Sequence, residues 1–316
     1  MRVAVTGAGG LVGRFLVDAF AAAGHEVTAI HREGAVIPSS APGVRRVSAD
    51  VEFPESLLPV FENIELVVHT AAVVSLDNKD RDILYRTNAE GTRHVVDACL
   101  MCGVRRLMHI SSVAAIGSGA GKEFIDEDTP WDGGRSAYAK SKYEAESHVF
   151  RGAAEGLEVQ MVNPSVILAP AEKGRSSMRL IDYLRSGGRF YTDGWVNLVD
   201  VRDVVQAVTG LSGLPVEAPE RYILNGFTLS YQDFFTEMST HLGRKPPSWR
   251  ASKTLLNLMV TLFGWTGLLG LTRESVQAAF GKHRYNGQRI CSRLGIAYRN
   301  SEDTMAWVCR EIQAGF

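Results

Sequence analysis

The sequence predicts a doubly wound α/β fold, a parallel sheet with helices on both faces, extended by a smaller and mostly helical C-terminal lobe. Two patterns predict it. Short β-branched runs alternate with longer segments of helical periodicity through the first half of the chain, which implies parallel strands joined by right-handed helical crossovers. A glycine-rich turn follows the first of these strands directly, where such sheets form their crevice. The 316 residues, 45% hydrophobic and 22% charged, suffice to bury one large core with an appended lobe.

In chain order, "RVAVT" reads as the first strand and "LVGRFLVDAFAAAG" as the helix after it. The runs "EVTAIH", "VRRVSA" and "ELVVHTAA" are the next strands. "DILYRTNAEGTRHVVDACLMC" is helical, "RRLMHISS" is a fifth strand, a helix runs from Ala137 to Glu155, and "EVQMVNPSVIL" is a sixth strand with its exit loop. Beyond Pro164 the regularity fails in stretches such as "KGRSSMRLIDYLRSGGRFYTDG". Two later segments, "VNLVDVRDVVQAV" and "RYILNG", are expected to rejoin the main sheet. The expected division is therefore 1–164, with 197–226 returning to it, and a lobe of 165–196 and 227–316.

Composition narrows the function. A formal net charge of −1 gives no field for nucleic acid, so a small-molecule partner is expected. The N-terminus enters a strand without a basic region or an apolar signal core, so a cytoplasmic protein is expected. Cys99 and Cys102 are spaced like half a metal knuckle, but Cys291 and Cys309 supply no second half and no His-x-x-x-His pair occurs, so no metal is expected. The uncharged run Thr254–Thr272 approaches the length of a membrane span. Its three glycines, Asn257 and threonines dilute it, and it reads instead as a helix pair over an apolar pocket, with Phe263 and Trp265 facing that pocket and membrane contact at most peripheral.

In "VTGAGGLVGRF" the glycines Gly7, Gly10 and Gly13 stand three apart, with Leu11 and Val12 between the last two, and all five are expected at the cofactor. Glycines there permit a tight turn whose amides and helix N-terminus face a pyrophosphate, while Gly13 allows the helix to pack close to the strand. At the end of the second strand an acidic residue would bind both ribose hydroxyls of NAD. His31 occupies that place and Arg32 follows, a guanidinium able to pair with a 2′-phosphate. NADP(H) is therefore the preferred cofactor, with NAD(H) possible through Glu33. Asp50, followed by Val51 after the third strand, is placed to accept from an adenine amino group.

"SAYAKSKYEAE" sets Tyr138 and Lys142 four apart on one helix face, where an ammonium favours the phenolate and makes the tyrosine a usable acid or base. At the end of the fifth strand Ser112, with Ser111 as the competing candidate, presents a hydroxyl at the carboxyl edge of the sheet. Strand alternation admits only one of the two.

These residues, with "ADV", "VVHTAA", "TNAEGT", "ISSVAAIG", "NPSVILAP" and "VNLVDVRDV" in order, resemble the extended short-chain dehydrogenase/reductases, which carry a Rossmann fold. The resemblance implies Tyr138 as acid/base, Lys142 holding the nicotinamide ribose and depressing the phenol pKa, and Ser112 as the catalytic hydroxyl. It implies Gly7, Gly10 and Gly13 at the pyrophosphate, Thr70, Ala71 and Ala72 beside the nicotinamide, Asn88 beneath the site, and Pro164 and Val166 flanking the carboxamide. Val113 and Ala114 stand where the group's dehydratases carry an acidic pair, which disfavours dehydration. The expected activity is hydride transfer between NADP(H) and a carbonyl or secondary alcohol of a small, apolar substrate. Its rivals are a nucleotide-sugar epimerase with tightly held NAD and a non-catalytic cofactor sensor. Similar enzymes pair as homodimers through the helices around Leu84–Met101 and Ala137–Glu155.

Overall fold

The computed structural model describes residues 1–35, 41–119, 123–134, 136–172, 177–263 and 272–315. Strands β1 (Arg2–Thr6), β2 (Glu26–His31), β3 (Arg45–Ser48), β4 (Leu66–His69) and β5 (Arg106–Ile110) alternate with α1 (Leu11–Ala22), two single turns α2 (Leu58–Phe61) and α3 (Arg81–Leu84), and α4 (Gly91–Met101). After a two-residue β6 (Phe124–Ile125) come α5 (Ala137–Ala154), β7 (Glu158–Pro164), β8 (Val166–Leu168), α6 (Met178–Arg185), β9 (Phe190–Tyr191), β10 (Trp195–Asp200), α7 (Val201–Ser212) and β11 (Glu220–Leu224). The chain closes with β12 (Phe227–Ser230), α8 (Tyr231–His241), β13 (Trp249–Arg250), α9 (Lys253–Phe263), α10 (Arg273–Ala279), β14 (Arg284–Tyr285), α11 (Gln288–Leu294) and α12 (Ser301–Gln313).

Seven strands form one sheet in the order β11, β7, β5, β4, β1, β2, β3, every neighbouring pair parallel. Alternation along β1 shows why both faces are covered: Val3 and Val5 enter a core built with α1 and α7, whereas Ala4 enters the opposite core with Val95, Val96 and Val149 of α4 and α5. A third core, around Met178, Ile181, Phe234, Met238, Met305 and Val308, belongs to the lobe.

One expectation changes. β11 takes the sheet edge beside β7, so "RYILNG" does rejoin the main sheet, but β10 does not. It pairs with β8 in parallel and with β12 antiparallel, because β8 leaves the main sheet after Ser165 and offers β10 its own free edge. α7 still returns from there to pack against α1 across the core.

Two local features position the site. Ser136 caps α5, its hydroxyl accepting from the Ala139 amide at 2.9 Å, which fixes the helix start two residues before Tyr138 and six before Lys142. Between α3 and α4 the helix opens into a π-helical stretch, Tyr85–Glu90, that carries Asn88 inward. No helix among the described residues is long and apolar enough to cross a membrane. Of the Thr254–Thr272 run, residues 264–271, Trp265 included, and the Phe263 side chain lie outside the described residues.

Candidate active site

The glycine turn is shaped by two close approaches. Gly7 has φ +67°, and a Cβ there would stand 2.7 Å from the Ala71 backbone. A Cβ on Gly13 would collide with the Gly7 carbonyl, which already accepts from the Gly10 amide at 2.8 Å and from the Thr70 hydroxyl at 3.2 Å. Gly13 therefore lets α1 close on β1, while Gly7, Gly9, Gly10 and Leu11 line a cleft of about 570 Å³. Val12 faces the other way and packs on the core behind the sheet, since one residue along a helix is a turn of about 100°. It is not a lining residue, contrary to expectation.

The cleft runs across the carboxyl ends of β1, β2 and β4 and is also lined by His31, Arg32, Asp50, Val51, Thr70, Ala71 and Ala72. Arg32 is exposed at its rim, and the His31 ring donates from Nδ1 to the Arg32 carbonyl at 2.9 Å. An Asp50 carboxylate oxygen accepts from the Glu52 amide at 3.0 Å, which orients the side chain at the cleft wall. A groove with glycine amides at one end, a cation at the rim and small residues between suits a dinucleotide. Sequence reasoning missed Gly9, Arg14, Val73 and Thr87 as lining residues. The doubled glycine at 9 and 10 was a visible signal for the first, Thr87 opens the quoted "TNAEGT", and no spacing argument pointed to Arg14 or Val73.

Asn88 is a clamp rather than a lining residue. Buried beneath the cleft, it accepts from the Val73 amide at 2.8 Å, donates to the Val73 carbonyl at 2.9 Å and donates to the Ser141 hydroxyl at 3.0 Å, so it holds the segment leaving β4 against α5. Pro164 is buried at the end of β7, where it pairs with Leu224, and Val166 is exposed just beyond it. Neither reaches the cleft wall.

Strand alternation separates the two serines. Ser111 turns into the interior and donates to Glu146 at 2.5 Å, whereas Ser112 caps the turn Val113–Ala115 and lies near enough to the Tyr138 phenol to act on its titration. Burial raises the Tyr138 pKa, and the Ser112 hydroxyl opposes that rise. Lys142 departs from expectation. Its buried ammonium donates to the Ile110 carbonyl at 3.0 Å and to His109 Nε2 at 3.4 Å, and its pKa is lowered to about 8 by burial, with Glu146 opposing. Burial, not Lys142, dominates the phenol in this arrangement.

Beneath Lys142 two neutral histidines stack, His69 on β4 and His109 on β5, with ring centroids 5.2 Å apart. The Thr92 hydroxyl gives its proton to the Asn88 carbonyl at 2.6 Å, so His69 Nε2 is the donor in the 3.0 Å contact with Thr92, and His69 Nδ1 accepts from Thr6 at 2.7 Å. Burial first and the Lys142 charge second depress both rings, His69 to about 3 and His109 well below its usual value.

Ser112, Tyr138 and Lys142 do not line this cleft; a dinucleotide-shaped cleft on the same sheet edge as a tyrosine–serine pair is the apparatus of the short-chain dehydrogenase/reductases, NAD(P)-dependent oxidoreductases of the extended type in this case. The chain belongs to the NAD dependent epimerase/dehydratase family, whose model matches residues 3–224. It is 34% identical over 232 residues to a sterol demethylase protein B of Methylococcus capsulatus, covering 72% of this chain and 70% of that protein. A putative dihydroflavonol 4-reductase of Synechocystis is 31% identical over 294 residues, 88% and 80% of the two chains. The crystal structure of gox2253 superposes with a TM-score of 0.85 at 26% identity, covering 99% of this chain and 98% of the other.

Proposed function

We propose that the protein transfers hydride between NADP(H) and a carbonyl or secondary alcohol of a small, apolar substrate. The observation that carries this reading is the meeting of the Ser112 hydroxyl and the Tyr138 phenol at the carboxyl edge of the sheet. When bound, the nicotinamide supplies the hydride in reduction and accepts it in oxidation. Ser112 donates to the substrate oxygen, and Tyr138 gives that oxygen a proton in reduction and removes it in oxidation. Lys142, one turn along α5, is the positive charge available to hold the phenolate and the nicotinamide ribose.

Gly7, Gly9, Gly10 and Leu11 face the pyrophosphate, Arg32 pairs with the 2′-phosphate, Asp50 accepts from the adenine amino group, and Thr70, Ala71 and Ala72 take the nicotinamide side. The names of the sterol- and flavonol-related relatives support an apolar substrate, as does the uncharged Thr254–Thr272 run. A cytoplasmic homodimer belongs to the same reading, supported by Met101, Tyr143 and Phe150 standing exposed on α4 and α5.

The test is a fluorescence titration of the purified protein with NADPH and NADH, after analysis for cofactor already bound. Reversible binding that favours NADPH is expected. Protein arriving with NAD that does not exchange speaks for the epimerase rival instead.

A further inference from the structure

Glu146 is a buried carboxylate on the inner face of α5. It is 2% exposed, two helical turns from Tyr138 and one from Lys142 on the same face of α5. Burying an unpaired charge is costly, and even a paired one is often no better for stability than a hydrophobic residue of equal volume. The reason for keeping it lies in what its oxygens hold.

Oε1 accepts from the Ser111 hydroxyl and from Asn163 Nδ2, both at 2.5 Å, and Oε2 accepts from Arg221 at 3.3 Å. All three partners are donors, the pattern of an ionised carboxylate, although burial pushes its pKa up. Asn163 Nδ2 also donates to the Ser112 carbonyl at 3.0 Å. Ser111 and Ser112 are thus anchored by one carboxylate, the first directly and the second through Asn163, at the point where β5 ends and the backbone turns toward the cleft. The Arg221 guanidinium is itself fixed, its Nε donating to the Glu127 carbonyl at 2.9 Å.

We propose that Glu146 is a positioning residue for the reaction assigned above, holding Ser112 in register through Asn163 and Ser111 and keeping the Lys142 ammonium charged. The proposal rests on that reading for Ser112 and Lys142. The charged and titratable groups facing Lys142 are Glu146 on its own helix, His109 on β5 and His69 on β4, and those facing Glu146 are Lys142 and Arg221 on β11. Glu146 is the one anion in this group and favours the charged lysine, while burial opposes it.

Glu146→Gln keeps the shape and removes the charge. The readout is the pH titration of Lys142 by NMR in protein labelled at lysine Cε, assigned with Lys142→Arg and recorded without cofactor or substrate. The midpoint is expected at about 8 in the wild type and lower by roughly half a unit or more in Glu146→Gln. Glu146→Leu removes the anchor and is expected to lower kcat by roughly 10- to 100-fold, with KM and NADPH affinity within about threefold. Ser111→Ala, which deletes one bond and no charge, leaves the lysine midpoint where it was. An unmoved midpoint in Glu146→Gln, or a folded Glu146→Leu enzyme with wild-type kcat, overturns the proposal. The titration decides alone if Glu146→Leu does not fold. It needs no turnover, so its failure is separate from failure of the functional assignment.

Discussion

Ser111 and Ser112 are adjacent in sequence and opposite in fate: the first donates into the interior to Glu146 at 2.5 Å, the second turns toward the Tyr138 phenol. The division follows from strand alternation at the end of β5. Ser112→Ala is expected to lower kcat by about 10²-fold or more while leaving NADPH affinity within about twofold, because the lost hydroxyl acts on substrate rather than cofactor. Stopped-flow binding beside steady-state kinetics checks both numbers.

The proposed pairing of Arg32, at the cleft rim, with a 2′-phosphate is open to a direct test. A guanidinium–phosphate bond contributes about 1.5–3 kcal/mol, so Arg32→Ala is expected to weaken NADPH roughly tenfold or more and to leave NADH unchanged. Equal losses for both nucleotides show instead that Arg32 serves the common half of the molecule.

Gly13→Ala places a methyl group against the Gly7 carbonyl, where the Gly10 amide and Thr70 hydroxyl already converge. Opening that contact is expected to cost about 1–3 kcal/mol of stability and to weaken cofactor binding about tenfold, since turn and helix must part together. Calorimetry with and without NADPH separates the two effects.

The stacked histidines make stability depend on pH. Both titrate near 6.5 when unfolded and are depressed in the fold, His69 to about 3. Between those values the unfolded chain binds protons that the native protein refuses. Stability is therefore complete above pH 6.5 and is lost as pH falls below it, with a slope approaching about 2.7 kcal/mol per pH unit when both rings contribute. Urea unfolding at pH 7.0 and 5.5 should show the loss, and a His109→Asn variant should show less of it. Equal midpoints at the two pH values contradict this account.

Much of this architecture was legible because parallel strands buried on both faces read as β-branched runs, and because Gly7 and Gly13 answer to local geometry. Sheet membership was harder: nothing within "VNLVDV" says that β8 will leave the main sheet and take β10 with it. Gly7, Gly10, Leu11, His31, Arg32 and Thr70 line one cleft because their places follow from strand ends. Val12 was misplaced because the glycine spacing does not say which way the first helical turn faces. Asn88 drew attention as a motif residue, but its clamp on Val73 depends on a π-helical stretch with no sequence signature. Glu146 stood in the quoted "YAKSKYEAE", yet its partners Ser111, Asn163 and Arg221 come from three separate strands.

The most direct test of the central claim follows the hydride. Wild-type protein and Tyr138→Phe are each incubated with NADPH deuterated at C4 and a panel of apolar ketones and aldehydes, and the products are analysed by mass spectrometry. The account predicts deuterium in a product alcohol with stoichiometric NADPH consumption, and a rate about 10²–10⁴-fold lower in Tyr138→Phe with cofactor affinity intact. Undiminished turnover by Tyr138→Phe, or substrate isomerised without net NADPH consumption, contradicts it.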